Sequence, residues 1–402
     1  MPERAILTLN AGSSSLKFAL FTACHHPKRL WSGAIDRIGL SGGHFQLSDA
    51  RSTIVVDESG KLDSHEAALT RLLKAIARLP GSLDLVAVGH RVVHGGPECD
   101  CPKDVTPALL ARLRRLAYLA PLHMLPNLAG IDAVQAARRN LPQVACFDTS
   151  FHHDLPKIAQ MTALPRAYAK DGIRRYGFHG LSYEYIMEKL RHDGVHVDVE
   201  RIIIAHLGNG ASMTAIRNGT PIETSMGFST LAGLPMGTRT GDIDPGILLF
   251  LMQEKSMSPD EITALLYEQS GLLGMSGLSR NMEDLLDSPQ EAAAETVAYF
   301  CYQAKLHLAR LTGALGGLDR VVFTGGIGEN SAEIRSRICA GLGYLGVNIE
   351  SAANKADRTK ISKPDSRVII EARATDEEQM IARHVAVKIL ANPVQQTSSM
   401  GA

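Results

Sequence analysis

Two stretches far apart in the chain share one pattern of apolar and polar positions. Residues 6–20 read Ile-Leu-Thr-Leu-Asn-Ala-Gly-Ser-Ser-Ser-Leu-Lys-Phe-Ala-Leu, and residues 202–216 read Ile-Ile-Ile-Ala-His-Leu-Gly-Asn-Gly-Ala-Ser-Met-Thr-Ala-Ile. Each predicts an apolar strand, a Gly/Ser/Asn turn and a second strand. When the two are aligned, Gly12 falls on Gly208 and Ser15 on Ala211. A single copy reads as a plain hairpin. A repeat at this spacing points to a duplicated domain, each copy presenting a turn whose backbone N–H groups can face a phosphate without a bulky side chain in the way. The first turn adds three hydroxyls (Ser13, Ser14, Ser15) and one cation, Lys17.

The rest of the chain predicts alternating strands and helices. More strands are expected over 30–56, with turns at Gly33 and 41–43. A helical stripe of Ala67, Ala68, Leu72, Ala75, Ile76 and Leu79 predicts a helix over 64–79. A short strand at 83–88 runs into a glycine-flanked loop at 89–96. Arg91 in that loop is either an anion ligand at a strand end or a surface salt-bridge residue. A helix at 107–119, a loop at 120–127 and a helix at 128–139 follow. The strand from Val144 ends in polar residues, and Asp148 just past it either reaches a cleft or caps a turn. His152 and His153 are adjacent, a poor arrangement for ligating one metal. Residues 174–180 form a loop of glycine and rings, followed by a helix at 182–191. The stretch 225–246 is too glycine-rich for a long helix or strand, and a loop of that length is usually functional. Arg239 is its only cation. Helices are expected at 259–269 and 289–311. Residues 321–330 read as a strand, a glycine turn and a helix start, a further place for a nucleotide to approach backbone. A strand at 367–372 precedes a last helix opened by Asp376-Glu377-Glu378. Those acids suit a helix N-terminus or a metal. The tail, 393–402, is expected to be disordered.

Composition narrows the picture. A length of 402 residues accommodates two domains. Lys+Arg and Asp+Glu both total 42, so no global charge draws the chain to nucleic acid or a membrane surface, and neither partner is expected. The six cysteines (Cys24, Cys99, Cys101, Cys146, Cys301, Cys339) are scattered, which argues for reduced thiols in a cytoplasmic protein. Cys99 and Cys101 lack a second pair at zinc spacing. No signal-peptide pattern opens the chain, and the longest apolar run, 246–252, is too short to span a bilayer.

Assembled, these motifs resemble the acetokinase family of the actin/sugar-kinase/Hsp70-like superfamily over about residues 5–390. The resemblance rests on Leu-Asn-Ala-Gly-Ser-Ser-Ser-Leu-Lys17, Gly-His-Arg-Val-Val-His-Gly-Gly96, Ala-Pro-Leu-His123, Phe-Asp-Thr-Ser-Phe-His152 and Arg-Arg-Tyr-Gly-Phe-His-Gly180. It continues through His-Leu-Gly-Asn-Gly210, Gly-Thr-Arg-Thr-Gly-Asp-Ile-Asp-Pro-Gly246, Phe-Thr-Gly-Gly-Ile-Gly-Glu-Asn330 and Ala-Thr-Asp-Glu-Glu378.

The resemblance implies an α/β fold of two duplicated actin-like (ribonuclease H-like) domains around a nucleotide cleft. They are expected at 1–150, joined by a C-terminal helix at about 380–392, and at 151–379. It implies reversible phosphoryl transfer between ATP and acetate, giving ADP and acetyl phosphate, with magnesium (manganese as an alternative) and a homodimer. A propionate or other short-chain carboxylate kinase is the alternative. By the same resemblance, Asn10 and Glu377 match the metal positions and Lys17 an ATP position. Arg91 matches the substrate arginine, Asp148 the catalytic acid, and His179 and Arg239 the transition-state stabilisers, with His123 beside them. Val93, Leu122, Phe178 and Pro235 match an apolar pocket for the acetate methyl. His206, Leu207, Gly208, Asn209 and Gly210, and Gly326, Ile327, Gly328, Glu329 and Asn330, match nucleotide loops. Asn281, Met282 and Glu283 stand where the family has an Asp-Phe-Arg-like nucleotide segment, so Glu283 puts negative charge where the family has a cation. Met124-Leu125 replace the family's Asn-Pro after His123.

The chemistry is consistent with these roles. Acetate is already ionised at neutral pH, so the nucleophile needs no base. The obstacle is repulsion between a carboxylate and a polyphosphate, which calls for positive charge and alignment. On that argument Asp148 holds a metal or orients Arg91; on the family reading it donates and accepts the proton. An inactive binding protein would be expected to have lost Arg91, Asp148, His179 or Arg239, and all four are present.

Overall fold

A computed structural model describes residues 2–391, which divide into two units; the expected tail at 393–402 lies outside the described residues. The first unit runs to His153 and takes up the chain again from Asp376; the second is Asp154–Thr375.

The first unit is built on an eight-stranded sheet: β1 (Glu3–Ala11), β2 (Ser15–Thr22), β3 (Arg29–Asp36), β4 (His44–Asp49), β5 (Ile54–Ser59), β6 (Leu83–Val92), β7 (Lys103–Asp104) and β8 (Gln143–Phe147). Their order in the sheet is β5-β4-β3-β2-β1-β6-β8-β7. β1 is buried on both faces and therefore reads as a nearly continuous apolar run. Leu7 and Leu9 join Phe18, Leu20 and Phe45 under the helices His65–Ile76 and Pro121–Ala137. On the opposite face, Ala19 and Phe21 pack with Ala382 of the C-terminal helix, Glu377–Ala391. Gly89 of β6 lets that helix close in. A Cβ there would lie 2.4 Å from Ile381 Cγ2 and 2.7 Å from Val385 Cγ2.

The second unit has a five-stranded sheet of β9 (Arg201–Leu207), β10 (Ala211–Arg217), β11 (Thr220–Thr224), β12 (Arg320–Thr324) and β13 (Ile369–Ala372), ordered β11-β10-β9-β12-β13. β3-β2-β1-β6-β8 and β11-β10-β9-β12-β13 have the same order and directions. In each, three strands run antiparallel and two more continue in parallel. The repeated hairpin in the sequence is thus the first pair of strands in each copy. The 25-residue helix Glu291–Leu315 covers this sheet with Val297, Phe300, Ala304, Leu308 and Leu311.

Several expectations change, three of them in the first unit. β3 passes straight through Gly33, which pairs with Phe18 on one side and Leu47 on the other, and the residue is glycine because Gln46 and Phe18 crowd the space a Cβ would fill. β6 extends to Val92, so Arg91 lies within a strand; β8 pairs Cys146 with Arg91 and Phe147 with Val92 and so prolongs the ladder. The loop expected at 120–127 is the start of the helix Pro121–Ala137. Pro121 occupies the first helical position, where a missing N–H costs nothing, and Pro126 forfeits a single bond.

Candidate active site

In the first unit the ends of β6 and β8 and the start of the C-terminal helix bring three charged residues together. Arg91 donates to Asp148 through Nε (2.9 Å) and Nη2 (2.8 Å), a bidentate fork, and through Nη1 to Glu377 at 2.6 Å. Asp148 is 1% exposed, which makes a turn-capping role at the surface untenable. Burial works against the charge on Arg91, but Asp148 and Glu377 outweigh it and hold the guanidinium above its ordinary pKa. Burial pushes Glu377 up to about 7. Asp148 and Glu378 add to that rise, and Arg91 and Lys17 oppose it. Three of the five guanidinium N–H groups of Arg91 are taken, leaving one on each Nη for a further anion. Val93 follows on the same strand path. Its N–H donates to Asn127 Oδ1 (3.0 Å), while Asn127 Nδ2 donates to Ala11 O (2.8 Å). Asn127 so ties the end of β6 to the end of β1, a role no sequence pattern announced. Leu122 and His123 lie in the first turn of the helix that carries Asn127. Asn10 and Lys17 are cross-strand partners on β1 and β2, with Lys17 exposed. His65 bonds Gly12 O at 2.8 Å and steadies the first turn.

In the second unit the turn between β9 and β10 lies beside two other segments. A Cβ on Gly210 would lie 2.9 Å from Arg239 Nη2 and 3.0 Å from His179 Nε2, so a guanidinium and an imidazole converge over one bare backbone position. A Cβ on Gly208 would lie 3.8 Å from Gly326 N and 3.9 Å from His206 Nε2, which joins the two glycine turns expected to bind a nucleotide. The rings of His179 and His206 stack, with centroids 4.4 Å apart and planes 18° from parallel. His179 takes a left-handed φ of 58° at the start of the helix Gly180–His192. Phe178 beside it is buried. Arg239 Nη1 donates to Thr230 O at 2.9 Å. Asp242 closes the loop bearing Pro235 and Arg239: its N–H donates to Gly233 O at 2.8 Å and its Oδ1 accepts the Gly233 N–H at 2.7 Å. Sequence reasoning passed over Asp242 because a loop Asp looks like ordinary turn chemistry.

The segment after β12 is not a turn: Gly325–Asn330 is helical from its first residue. The Glu329 carboxylate accepts the N–H groups of Gly325 and Thr375, both at 2.9 Å, so its side chain braces the segment from within. Buried Arg335 does the same from below, donating to Gly328 O (3.0 Å) and Glu329 O (2.6 Å). Asn281 is bonded to Asp284 at 3.3 Å; Met282 points into the core, and Asn281 and Glu283 are exposed.

Among the described residues no group of three or more His, Cys, Asp or Glu side chains could hold a metal. A divalent cation still fits the first unit. Asp148 and Glu377 are two hard carboxylates held on one guanidinium, each with oxygen lone pairs beyond the bonds to Arg91. Magnesium takes one or two carboxylates and completes its shell with water and phosphate oxygens.

Two units of one topology, each with a glycine turn between its first two strands, define the actin-like two-domain α/β class of kinases. The sequence pattern of the acetokinase family matches residues 5–383. The acetate kinase of Rhodopseudomonas palustris is 47% identical over 392 residues, covering 94% of this chain and 97% of that protein. The crystal structure of Porphyromonas gingivalis acetate kinase has a TM-score of 0.85 at 36% identity, covering 96% of this chain and 100% of that one. A propionate kinase from Francisella tularensis has a TM-score of 0.87 at 35% identity, covering 95% and 98%. The chain belongs to the acetokinase family. Membership implies small-molecule substrates, ATP or ADP among them, and a divalent metal. No helix among the described residues is long and apolar enough to cross a membrane.

Proposed function

We propose that this chain is an acetate kinase that moves the terminal phosphoryl of ATP onto acetate, and back from acetyl phosphate to ADP, in a single in-line step. The convergence of Arg239 Nη2 and His179 Nε2 over Gly210 supports this reading most strongly. Two donors held over bare backbone suit a planar phosphoryl in flight, whose negative charge is spread over three equatorial oxygens. Arg239 supplies a fixed positive charge, and His179 adds a hydrogen bond to an equatorial oxygen. His123 is assigned the same kind of role. Arg91 binds the carboxylate of acetate with its remaining N–H groups. Asp148 aligns Arg91 through the bidentate fork, which fits an orienting group better than a proton acceptor, since the nucleophile arrives ionised. Asn10, Asp148 and Glu377 are the residues that would hold magnesium. When bound, the ion neutralises charge on the phosphate oxygens. Lys17, the turn at 206–210 and the helical segment at 326–330 hold the nucleotide, and Asn281 and Glu283 flank it. Val93 and Leu122 in the first unit, and separately Phe178 and Pro235 in the second, are the apolar residues that the family resemblance assigns to limiting the acid to a short chain.

A cytoplasmic location fits six cysteines of which none is joined in a disulfide among the described residues. A homodimer fits the helix Pro245–Gln253, which buries none of its residues and exposes Ile247, Leu249, Phe250 and Met252.

Acyl phosphate formation from acetate, propionate and butyrate, captured with hydroxylamine and run with ATP and GTP, tests the proposal. One methylene is worth about 1–3 kcal/mol, so propionate is expected to be about 10- to 200-fold poorer in kcat/KM. Equal values for acetate and propionate would reassign the chain to a broader short-chain acid kinase. No acyl phosphate from any acid would refute the proposal.

A further inference from the structure

We propose that Tyr183 and Ser212 form a hydroxyl chain that fixes His179 as the neutral imidazole with its proton on Nε2. The inference rests on His179 acting as a donor in the reaction above. Ser212 Oγ on β10 lies 2.7 Å from His179 Nδ1, and the same Oγ is hydrogen-bonded to the phenol of Tyr183 on the helix Gly180–His192. Ser212 and Tyr183 are both 0% exposed, so water does not compete for either bond. A serine hydroxyl has one hydrogen. The phenol is the more acidic hydroxyl and donates to Ser212 Oγ. Ser212 then has only its own hydrogen to give, and gives it to Nδ1. An Nδ1 that accepts leaves the ring proton on Nε2.

The Nε2 edge is where that proton matters. It lies 3.0 Å from the position of a Gly210 Cβ, and Arg239 Nη2 lies 2.9 Å from the same point. The opposite direction of the chain would set a nitrogen lone pair beside the guanidinium and towards phosphoryl oxygens, which repels the substrate. A doubly protonated ring would add a second cation beside Arg239 and against the stacked ring of His206. The neutral Nε2–H form gives a hydrogen bond without either cost. His206 has a parallel arrangement: Ser182 Oγ, also 0% exposed, lies 2.8 Å from its Nδ1. Tyr183 and Ser212 are positioning residues, acting through His179 rather than on the substrate.

The test is the tautomer itself, read by long-range proton–nitrogen correlation on the holoenzyme with ring-labelled histidine. His179→Gln identifies the signal. The wild type is expected to show a protonated Nε2 and a lone pair on Nδ1 at neutral pH. Ser212→Ala is expected to populate both tautomers and lower turnover about tenfold, with KM for acetate little changed. Ser212→Thr keeps the hydroxyl and is expected to restore both readouts. Tyr183→Phe leaves Ser212 in place and removes only the outer hydroxyl, so it reports the same shift if the alanine variant does not fold. A wild-type ring protonated on Nδ1, or on both nitrogens, overturns the proposal. So does an unchanged tautomer in Ser212→Ala or in Tyr183→Phe. Normal turnover in His179→Gln would refute the reading of His179 as a donor in the reaction, a failure distinct from that of the tautomer, which the wild-type spectrum decides.

Discussion

Replacing Gly210 with alanine adds one methyl group at the point where Arg239 and His179 meet. Gly210 is not among the glycines with positive φ, so alanine fits its backbone without strain. The new carbon would lie 2.9 Å from Arg239 Nη2 and 3.0 Å from His179 Nε2. Comfortable contact lies near 3.5 Å, so each tip must retreat by about 0.5 Å. Both are ends of side chains, and such a retreat costs about 0.5–1.5 kcal/mol in off-rotamer strain. Restricting the unfolded chain returns about 0.4–1 kcal/mol. The return offsets part of the strain at the two tips, so the melting temperature is expected to fall by only about a few degrees. Rate is far more sensitive. A 1 Å misplacement can cost about 10²-fold, so half that shift in two phosphoryl-facing groups predicts a loss of about 10- to 100-fold in kcat. The assay is hydroxylamine capture of acetyl phosphate at saturating ATP, acetate and magnesium, alongside a thermal melt. A folded Gly210→Ala protein with turnover within about twofold of wild type would refute the claim that these two tips form the reactive centre.

Other predictions follow from the first unit and the charged centre. Arg239→Ala is expected to lower turnover about 10³-fold, by analogy with phosphoryl-stabilising arginines, in the same acyl phosphate assay. Asp148→Asn keeps the shape but loses the charge that aligns Arg91. It is expected to lose activity and to need more magnesium for half-maximal rate, and an unchanged magnesium titration would count against a metal role. Gly89→Ala would press on Ile381 and Val385 and is expected to destabilise the chain by about 1–3 kcal/mol, read by chemical unfolding. Burial depresses His90 to about 4, with Gln143 opposing it at 2.7 Å. Between pH 6.5 and 4 the unfolded chain therefore binds more protons than the folded one. Stability is full above that window and falls as pH drops through it, by about 2 kcal/mol between pH 7 and 5. His90→Gln is expected to remove that part of the acid dependence; parallel unfolding curves for variant and wild type would contradict it.

The sequence by itself determined the repeat, the strand–turn–strand loops and the helix at 259–268, because hydrophobic period and glycine placement act over a few residues. Ser258 capping that helix with Glu261 is a local signal, legible without any neighbour. The sequence also singled out Arg91 and Arg239 as cations in glycine-rich stretches and Asp148 as an acid just past a strand, while the role of His179 came from the family resemblance. It could not extend β6 through Arg91, since that depends on β8, which arrives more than fifty residues later. It could not take Gly33 out of a turn, since the pairing that keeps it in a strand comes from Phe18 and Leu47 on the neighbouring strands. The long-range partners that orient the candidate site carry no local signature either: Asn127 bridges β1 and β6, Asp242 closes onto Gly233, and Ser212 reaches His179 from another strand. A buried Ser or Asn reads as any polar residue until the fold sets it beside its partner. Chain-local physics chose the elements. Which hydroxyl faces which imidazole, and which carboxylates share one guanidinium, was decided only when burial removed water and left those groups each other as partners.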